Sequence, residues 1–314
     1  MLFTREALEQ ASNEVVAAYH AAQFPPDELV ADLTTGIGAD LLALAARGPA
    51  KGYEVDAERL EYARHNLAVY GLYPELVHRD SLAAEWHFDY AFADPSRRVA
   101  GRRTLDPGQF SPNPVELAKR MAELRLGLIK LSPLLPDTFL GSLGARLEFL
   151  SLGGECREAL VGCGRQVEPG RHAVHLESDS RIPAGAALPV QDEPEAFLFE
   201  ADPAAIRAHA LASVPGAENM RGLGDSNGYL TANTEFRSPW YSTYRVLGRG
   251  SLDVKALRAR LRELGGGTPI VKTRTKATDA SQVAKALSME GQSSAIVAVY
   301  SVGRSLRYAL LERL

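Results

Sequence analysis

Membrane-length apolar runs, paired cysteines and metal-binding spacings are all missing from this sequence. No apolar stretch approaches the roughly 20 residues that a helix needs to cross a bilayer, so no spanning helix is expected. The first residues, MLFTREALEQASNEVV, carry Glu6, Glu9 and Glu14 and have no apolar core of a secretory signal. The two cysteines, Cys156 and Cys163, are separated by six residues and fit no zinc pattern. We read them as free thiols of a cytoplasmic protein. The seven histidines form no metal-binding spacing, and His172 and His175 fall on opposite faces of a strand-like segment. No metal is therefore expected, and all seven are read as structural or surface groups. A G-x-S-x-G elbow and a Walker loop are absent, which argues against α/β-hydrolase and P-loop chemistry. No tandem repeat or low-complexity tract is apparent.

What is present is ordinary in bulk and uneven in detail. The chain has 314 residues, 46% hydrophobic and 24% charged, with a net charge of −4, as in a globular protein long enough for two domains. From Arg237 to the C-terminus there are 14 Lys and Arg against 5 Asp and Glu. That segment is thus +9, and the remainder −13. A basic tail on an acidic body suggests a polyanionic partner; a solubilising basic face is the alternative.

The pattern alternates strand and helix. TREALEQASNEVVAAYHAAQF reads as an amphipathic helix with Leu8, Ala11, Val15, Ala18 and Ala22 on one stripe, stopped at FPPDE. ELVADL, AKGYEVD, PELVHRD, DYAFAD and LGLIKLSPLL read as strands. ADLLALAARG, AERLEYARHNLAVYG and PVELAKRMAEL read as the helices among them. LEFLSLGGECREALVGCG and HAVHLE suggest a closing hairpin and an antiparallel edge strand. The expected fold is α/β, a Rossmann-like doubly wound and mostly parallel sheet. Residues 178–193 are rich in Pro, Ala, Gly and Asp and mark the expected boundary between domains at 1–183 and 190–314. The second is expected to be a smaller α+β domain. Its elements are a helix at ADPAAIRAHALASV, strands at GYLTANTEF, STYRVLGRG and TPIVKTR, helices at DVKALRARLRELG and DASQVAKALSM, and a final hairpin.

Four strand ends carry candidate chemistry. In DLTTGIGAD, Gly36 and Gly38 allow a tight turn and close approach of a ligand. A dinucleotide fingerprint would have a third Gly where Leu41 stands. Asp40, at the following helix start, would repel a pyrophosphate. A ligand with a cationic or zwitterionic end suits the loop better. Asp56, after the second strand, can accept ribose hydroxyls or cap the next helix. Asp80 and Ser81 after the third strand can meet an adenine amino group or form a turn. In DYAFADPSRR, Asp94 and Pro95 offer a carboxylate and a carbonyl for an exocyclic amine.

DLTTGIGAD, YEVD, RDS and FADPSRR, in this order and spacing, resemble the motifs of class I S-adenosylmethionine-dependent methyltransferases over residues 1 to about 178. TREALEQAS, DPSRR, LIKLSP, SPWYSTYRVLG, DVKALRARLRELG and IVKTR extend the likeness to a bacterial subgroup whose methyltransferase domain is followed by a THUMP-like domain. Members of that subgroup usually carry further sequence before TREALEQAS. The resemblance implies S-adenosylmethionine as cofactor, with Asp32, Thr34, Gly36 and Gly38 at its methionine end. Asp56 would hold the ribose, Asp80 and Ser81 would border the adenine, and Asp94 and Pro95 would sit at methyl transfer. Amino-group methyltransferases typically follow Asp-Pro with Pro and an aromatic. Here Ser96 and Arg97 stand there, which leaves Trp86, Phe88 or Phe110 to supply a platform.

The basic residues bear on the substrate. Arg97, Arg98, Arg102 and Arg103 follow the transfer point, and guanidinium forks suit phosphates; Ser96, Arg97 and Arg98 are the candidate substrate-binding residues. In the tail, Lys272, Arg274 and Lys276 alternate, Arg258 and Arg262 share a helix face, and Trp240, Tyr241 and Tyr244 lie near Arg237 and Arg245. Aromatics among basic groups stack and neutralise single-stranded RNA, or else fill the core. The leading expectation is a methyltransferase acting on RNA at a base amino group. The rivals are an NAD-type dehydrogenase, disfavoured by Asp40 and Leu41, and an RNA-binding protein with a degenerate methyltransferase fold.

Overall fold

The computed structural model describes residues 2–3, 11–99, 102–225, 227–291 and 295–314, with the backbone alone at 98, 99, 102 and 103. The chain divides into two units. The first ends at Ser180 and leaves out Gly153–Glu155, and the second holds those three residues and Arg181–Leu314.

In the first unit, α1 (Glu14–Ala22) is capped by Asn13, whose side chain accepts from the Val15 N–H. The earlier turns expected from the periodicity, residues 4–10, lie outside the described residues. β1 (Val30–Asp32), α2 (Ala39–Arg47), β2 (Ala50–Glu54), α3 (Ala57–Val69), β3 (Glu75–His78) and β4 (Tyr90–Ala93) follow as strand–helix alternation. A two-stranded ribbon, β5 (Arg98–Val99) with β6 (Arg102–Arg103), precedes α4 (Pro114–Met121) and β7 (Leu126–Leu131). Then come α5 (Asp137–Leu143), β8 (Arg146–Leu152), β9 (Glu155–Cys163) and β10 (Gly170–His175), and β11 (Ser180–Pro183) carries the chain from this unit into the next. The ribbon and α5 were not anticipated. The pair of two-residue strands has no periodicity to read, and α5 spans only seven residues.

The sheet order is β11-β10-β8-β9-β7-β4-β1-β2-β3. β3, β2, β1, β4 and β7 are mutually parallel, and β9 runs antiparallel to β7. The sheet is therefore α/β and mostly parallel, as expected. The antiparallel strand, however, lies inside the sheet rather than at its edge. The Gly153-Gly154 turn, with φ of 66° and 73°, folds β9 back into the gap between β7 and β8, and β10 adds outside β8 in parallel. Leu41 and Leu44 of α2 pack with Val30, Tyr90, Phe92 and Leu128 in one core cluster. Strands buried on both faces read as continuous apolar runs, and β4 (YAFA) is buried throughout.

Chain order takes β1 to β2 and β3 on one side and returns to β4 on the other, so the switch point lies between β1 and β4. Hydrogen bonds show the split. The Leu33 N–H donates to the Phe92 carbonyl of β4 at 2.8 Å, and the Thr35 N–H to the Tyr53 carbonyl of β2 at 2.9 Å. The loop that follows β1 is thus held open over the fork.

In the second unit, β12 (Val190–Gln191), β13 (Phe197–Ala201), α6 (Pro203–Arg207), β14 (Arg221–Leu223), β15 (Tyr229–Ala232) and β16 (Tyr241–Ser251) come first. α7 (Val254–Glu263), β17 (Ile270–Thr273), α8 (Ala280–Leu287), β18 (Ile296–Val302) and β19 (Ser305–Arg313) complete it. Its sheet order is β12-β14-β15-β13-β16-β19-β18-β17. Period-2 alternation splits β18 between two clusters. Val297 and Val299 pack with Leu257, Leu261, Val283 and Leu287 of the two helices. Ala298 and Tyr300 pack with Leu198, Tyr229 and Tyr244. The helix expected over ADPAAIRAHALASV stops at Arg207, because His209 takes a left-handed φ of 57°.

Candidate active site

A cleft of about 610 Å³ opens at the carboxyl ends of the first unit's strands, within the size range of small-molecule sites. Of the residues singled out from sequence, Thr34, Gly36, Asp80, Ser81, Asp94, Pro95, Ser96 and Arg97 line it. Asp32, Gly38 and Asp56 are not among its lining, and the Arg98 side chain lies outside the described residues.

Each strand end contributes in a distinct way. Asp32 is buried behind the β1 loop, where one carboxyl oxygen accepts from the Thr34 N–H at 3.1 Å. Its other oxygen is buried without a hydrogen-bond partner among the described residues. Burial, with the nearby charge of Asp40, holds this carboxyl well above the usual range. Gly36 and Gly38 have φ of 56° and 90°. Gly38 is the left-handed N-cap of α2, and a Cβ there would lie 3.3 Å from Ala63 Cβ.

At the end of β2 the cleft acid is Glu54, not Asp56. Glu54 Oε2 accepts from the Gly36 N–H at 2.7 Å, and Oε1 accepts from the Val55 and Asp56 N–H groups at 2.9 Å. Asp56 caps α3, its Oδ1 accepting from Glu58 N–H at 2.9 Å and Arg59 N–H at 3.1 Å. Asp80 caps the short 3-10 turn Ser81–Ala83 through the Leu82 N–H at 2.9 Å. Arg120 of α4 braces that turn, donating to the carbonyls of Leu82 and Ala84 with its guanidinium 3.9 Å from the Trp86 ring.

Asp94 leaves β4 with its N–H donating to Thr34 Oγ1 at 2.6 Å, which ties the two sides of the fork together. Ser96 is paired backbone to backbone with Ser111, which places Ser111, Asn113 and Glu116 in the cleft wall. Trp86, Phe88 and Phe110 do not line the cleft; its aromatic is Tyr53. Arg59, Arg79 and Arg97 supply positive charge along the same wall.

A chain of buried charges runs beneath Asp94. Lys130 of β7 donates to Asp94 Oδ2 at 2.7 Å and to Ser12 Oγ at 2.9 Å. Ser12 donates to Asp40 Oδ2 at 2.6 Å. Asp40 Oδ1 lies 2.8 Å from His20 Nδ1, and His20 Nε2 lies 2.5 Å from Glu158 Oε1. Burial alone would lower the His20 pKa; Glu158 and Asp40 overcome this and raise it to about 10, so His20 is an imidazolium at neutral pH. Burial opposes the charge of Asp40 as well, but the His20 contact brings its carboxyl below the ordinary value. Lys130 is raised despite burial by Asp94, Asp40 and Glu158. From sequence His20 is expected to be one of seven structural or surface histidines, and Lys130 stands only within LIKLSP. No local spacing connects residues 12, 20, 40, 94, 130 and 158.

The second unit handles its candidates differently. Trp240, Tyr241 and Tyr244 are core residues, 1%, 6% and 2% exposed, so they offer no stacking face. The apolar burial that the domain needs has taken them. Lys272 and Arg274 both pair with Glu200, at 2.7 and 3.3 Å. Arg258 donates to the Ala286 carbonyl at 3.1 Å. Lys255, Arg262, Lys276 and Lys285 are exposed.

No protein-family model matches the chain. A protein from two strains of Mycobacterium tuberculosis, CDC 1551 / Oshkosh and ATCC 25618 / H37Rv, is 28% identical over 317 residues, covering 96% of this chain and 85% of its own length. It is described as an uncharacterized S-adenosylmethionine-dependent methyltransferase. The crystal structure of a "putative methyltransferase" from Porphyromonas gingivalis W83 superposes with a TM-score of 0.81 at 21% identity, over 99% of this chain and 83% of that one. With β3-β2-β1-β4-β7-β9-β8 as its strand order and β9 reversed, the first unit carries the class I S-adenosylmethionine-dependent methyltransferase fold.

Proposed function

We propose that the chain is an S-adenosylmethionine-dependent methyltransferase acting on RNA at a base amino group. The observation that carries this reading is one cleft holding the Gly36 turn of β1, Glu54 at the end of β2, and Asp94-Pro95 at the end of β4.

The residues suit the cofactor. A Cβ on Gly36 would meet nothing nearer than the Thr34 carbonyl at 3.9 Å, so its backbone faces open space. Glu54 is placed to accept ribose hydroxyls, the role that the sequence pattern gave to Asp56. Asp40 and Asp94 both line the same cleft. Asp80 and Ser81 border the adenine. When bound, S-adenosylmethionine supplies the methyl group: the acceptor nitrogen's lone pair forms the N–C bond, the pair of the broken S–C bond stays on sulfur, and the nitrogen's extra proton passes to water. Asp94 Oδ1 accepts an N–H of that nitrogen and orients it, while its charge offsets the positive charge gathering there.

RNA is favoured by Arg59, Arg79 and Arg97 in the cleft wall and by the net basic tail with its THUMP-like resemblance. The test is transfer of labelled methyl from the cofactor to total RNA of cells lacking the protein, followed by identification of the modified nucleoside. Asp94→Ala should abolish transfer while cofactor affinity stays within about threefold, under 1 kcal/mol. Normal transfer by that variant would refute the assignment. That Trp86, Phe88 and Phe110 do not line the cleft favours a second reading, an RNA-binding protein without catalysis. That reading requires salt-sensitive RNA affinity and no methyl transfer to any RNA pool.

A further inference from the structure

Lys130 is an unusual occupant of its position. β7 reads LGLIKL, and four of its six residues are buried. Lysine enters such surroundings only when paired, because an ammonium taken from water must be compensated. Its side chain is 16% exposed, and two acceptors receive it, Asp94 Oδ2 and Ser12 Oγ. A buried ion pair is weak evidence for stability, since an apolar pair of similar volume is often as good. The location of this one is informative: both Lys130 and Asp94 line the cleft.

Asp94 has two oxygens with different surroundings. Oδ2 is held by Lys130. Oδ1 makes no hydrogen bond with a described residue, and the side chain is 31% exposed in the cleft wall. Burial and the neighbouring acids work against its charge. Burial raises its pKa, and so do Asp40 of α2 and Glu158 of β9; Asp32 of β1 is a further acid coupled to it. Lys130 of β7 is the cation that opposes them. The anchor is itself fixed, because Ser12 also bonds Asp40, and Asp40 is clamped by the His20 imidazolium.

We propose that Lys130 is a positioning residue for methyl transfer, holding Asp94 ionised and oriented through Oδ2 so that Oδ1 is left for the acceptor N–H. The inference rests on the methyltransferase reading above. It adds a requirement which that reading lacks, a cation behind the catalytic carboxylate. Replacing it with an uncharged chain of similar length leaves Asp94 among acids, and the carboxyl then takes up a proton nearer neutrality.

The test compares wild type with Lys130→Met and Lys130→Arg in the full chain, each first checked for folding by circular dichroism and for cofactor affinity by calorimetry. Methyl transfer to RNA is followed from about pH 5.5 to 9. In Lys130→Met the acidic limb of kcat should move up by about one pH unit or more, with kcat at neutral pH about tenfold lower or worse. Lys130→Arg should return the limb to its wild-type place. An unmoved limb in Lys130→Met, or one that Lys130→Arg fails to restore, overturns the proposal. If wild type transfers no methyl group, the methyltransferase reading fails by itself. The carboxyl titration of Asp94, followed by carbon NMR in wild type and Lys130→Met, then decides the role of Lys130. An upward shift of about a unit supports it, and coincident midpoints reject it.

Discussion

Glu54 and Asp56 show how two acids two residues apart divide their work. A strand reverses side-chain direction at every step, so residues 54 and 56 share a direction only while the strand lasts, and β2 ends at Glu54. Beyond it, Asp56 turns to the exposed N–H groups of α3 and Glu54 keeps the cleft. The two therefore separate by experiment. Glu54→Gln should weaken cofactor binding by about tenfold to a hundredfold, about 1.4–2.8 kcal/mol, as expected for a charged acceptor in a site. Asp56→Ala should cost about 1 kcal/mol of stability through the lost cap and move cofactor affinity by less than about twofold. Calorimetric titration of both variants measures this directly; equal losses of affinity would remove the distinction.

At the scale of elements, the glycine turn and the helix it starts are one device. Gly38 holds a φ of 90° as N-cap of α2 and faces Ala63 of α3. Gly38→Ala should cost about 1–2 kcal/mol, from left-handed strain and crowding together, and should be read in the urea midpoint of the first unit. Gly and Pro punctuation, the strand–helix alternation and the order of strand-end motifs were all legible in the sequence, because each depends on neighbours within a few residues. β13, α5 and the β5–β6 ribbon were not anticipated. Phe197–Ala201 is a short, nearly continuous apolar run that periodicity alone does not assign, and the others are shorter than a reliable period.

At the scale of the first unit, the His20 cluster joins α1 to α2 and to β9. His20 faces Asp40 and Glu158, with Lys130 beyond Ser12. Its folded pKa of about 10 lies above its ordinary 6.5, so its contribution to stability is complete below about pH 6.5 and is lost as pH rises towards 10. Hydrogen exchange of β1 and β4 amides, corrected for intrinsic rates, should show the opening free energy falling across that window. His20→Gln should flatten the fall and lower stability by about 3–5 kcal/mol, since two buried acids lose their cation. A wild-type opening energy that does not change with pH would contradict the pairing.

The amino-acid sequence by itself determined the alternating elements, the glycine turn over the first strand and the order of acids at the strand ends. These are local consequences of period, backbone freedom and capping chemistry. Only the tertiary structure decided which acid faces the cleft, where the antiparallel strand enters the sheet, that the tail aromatics are core, and that residues 12, 20, 40, 94, 130 and 158 form one charged chain. The physical reason is range. Packing and desolvated charge act across space, and crossover connections bring side chains more than a hundred residues apart to within hydrogen-bond distance.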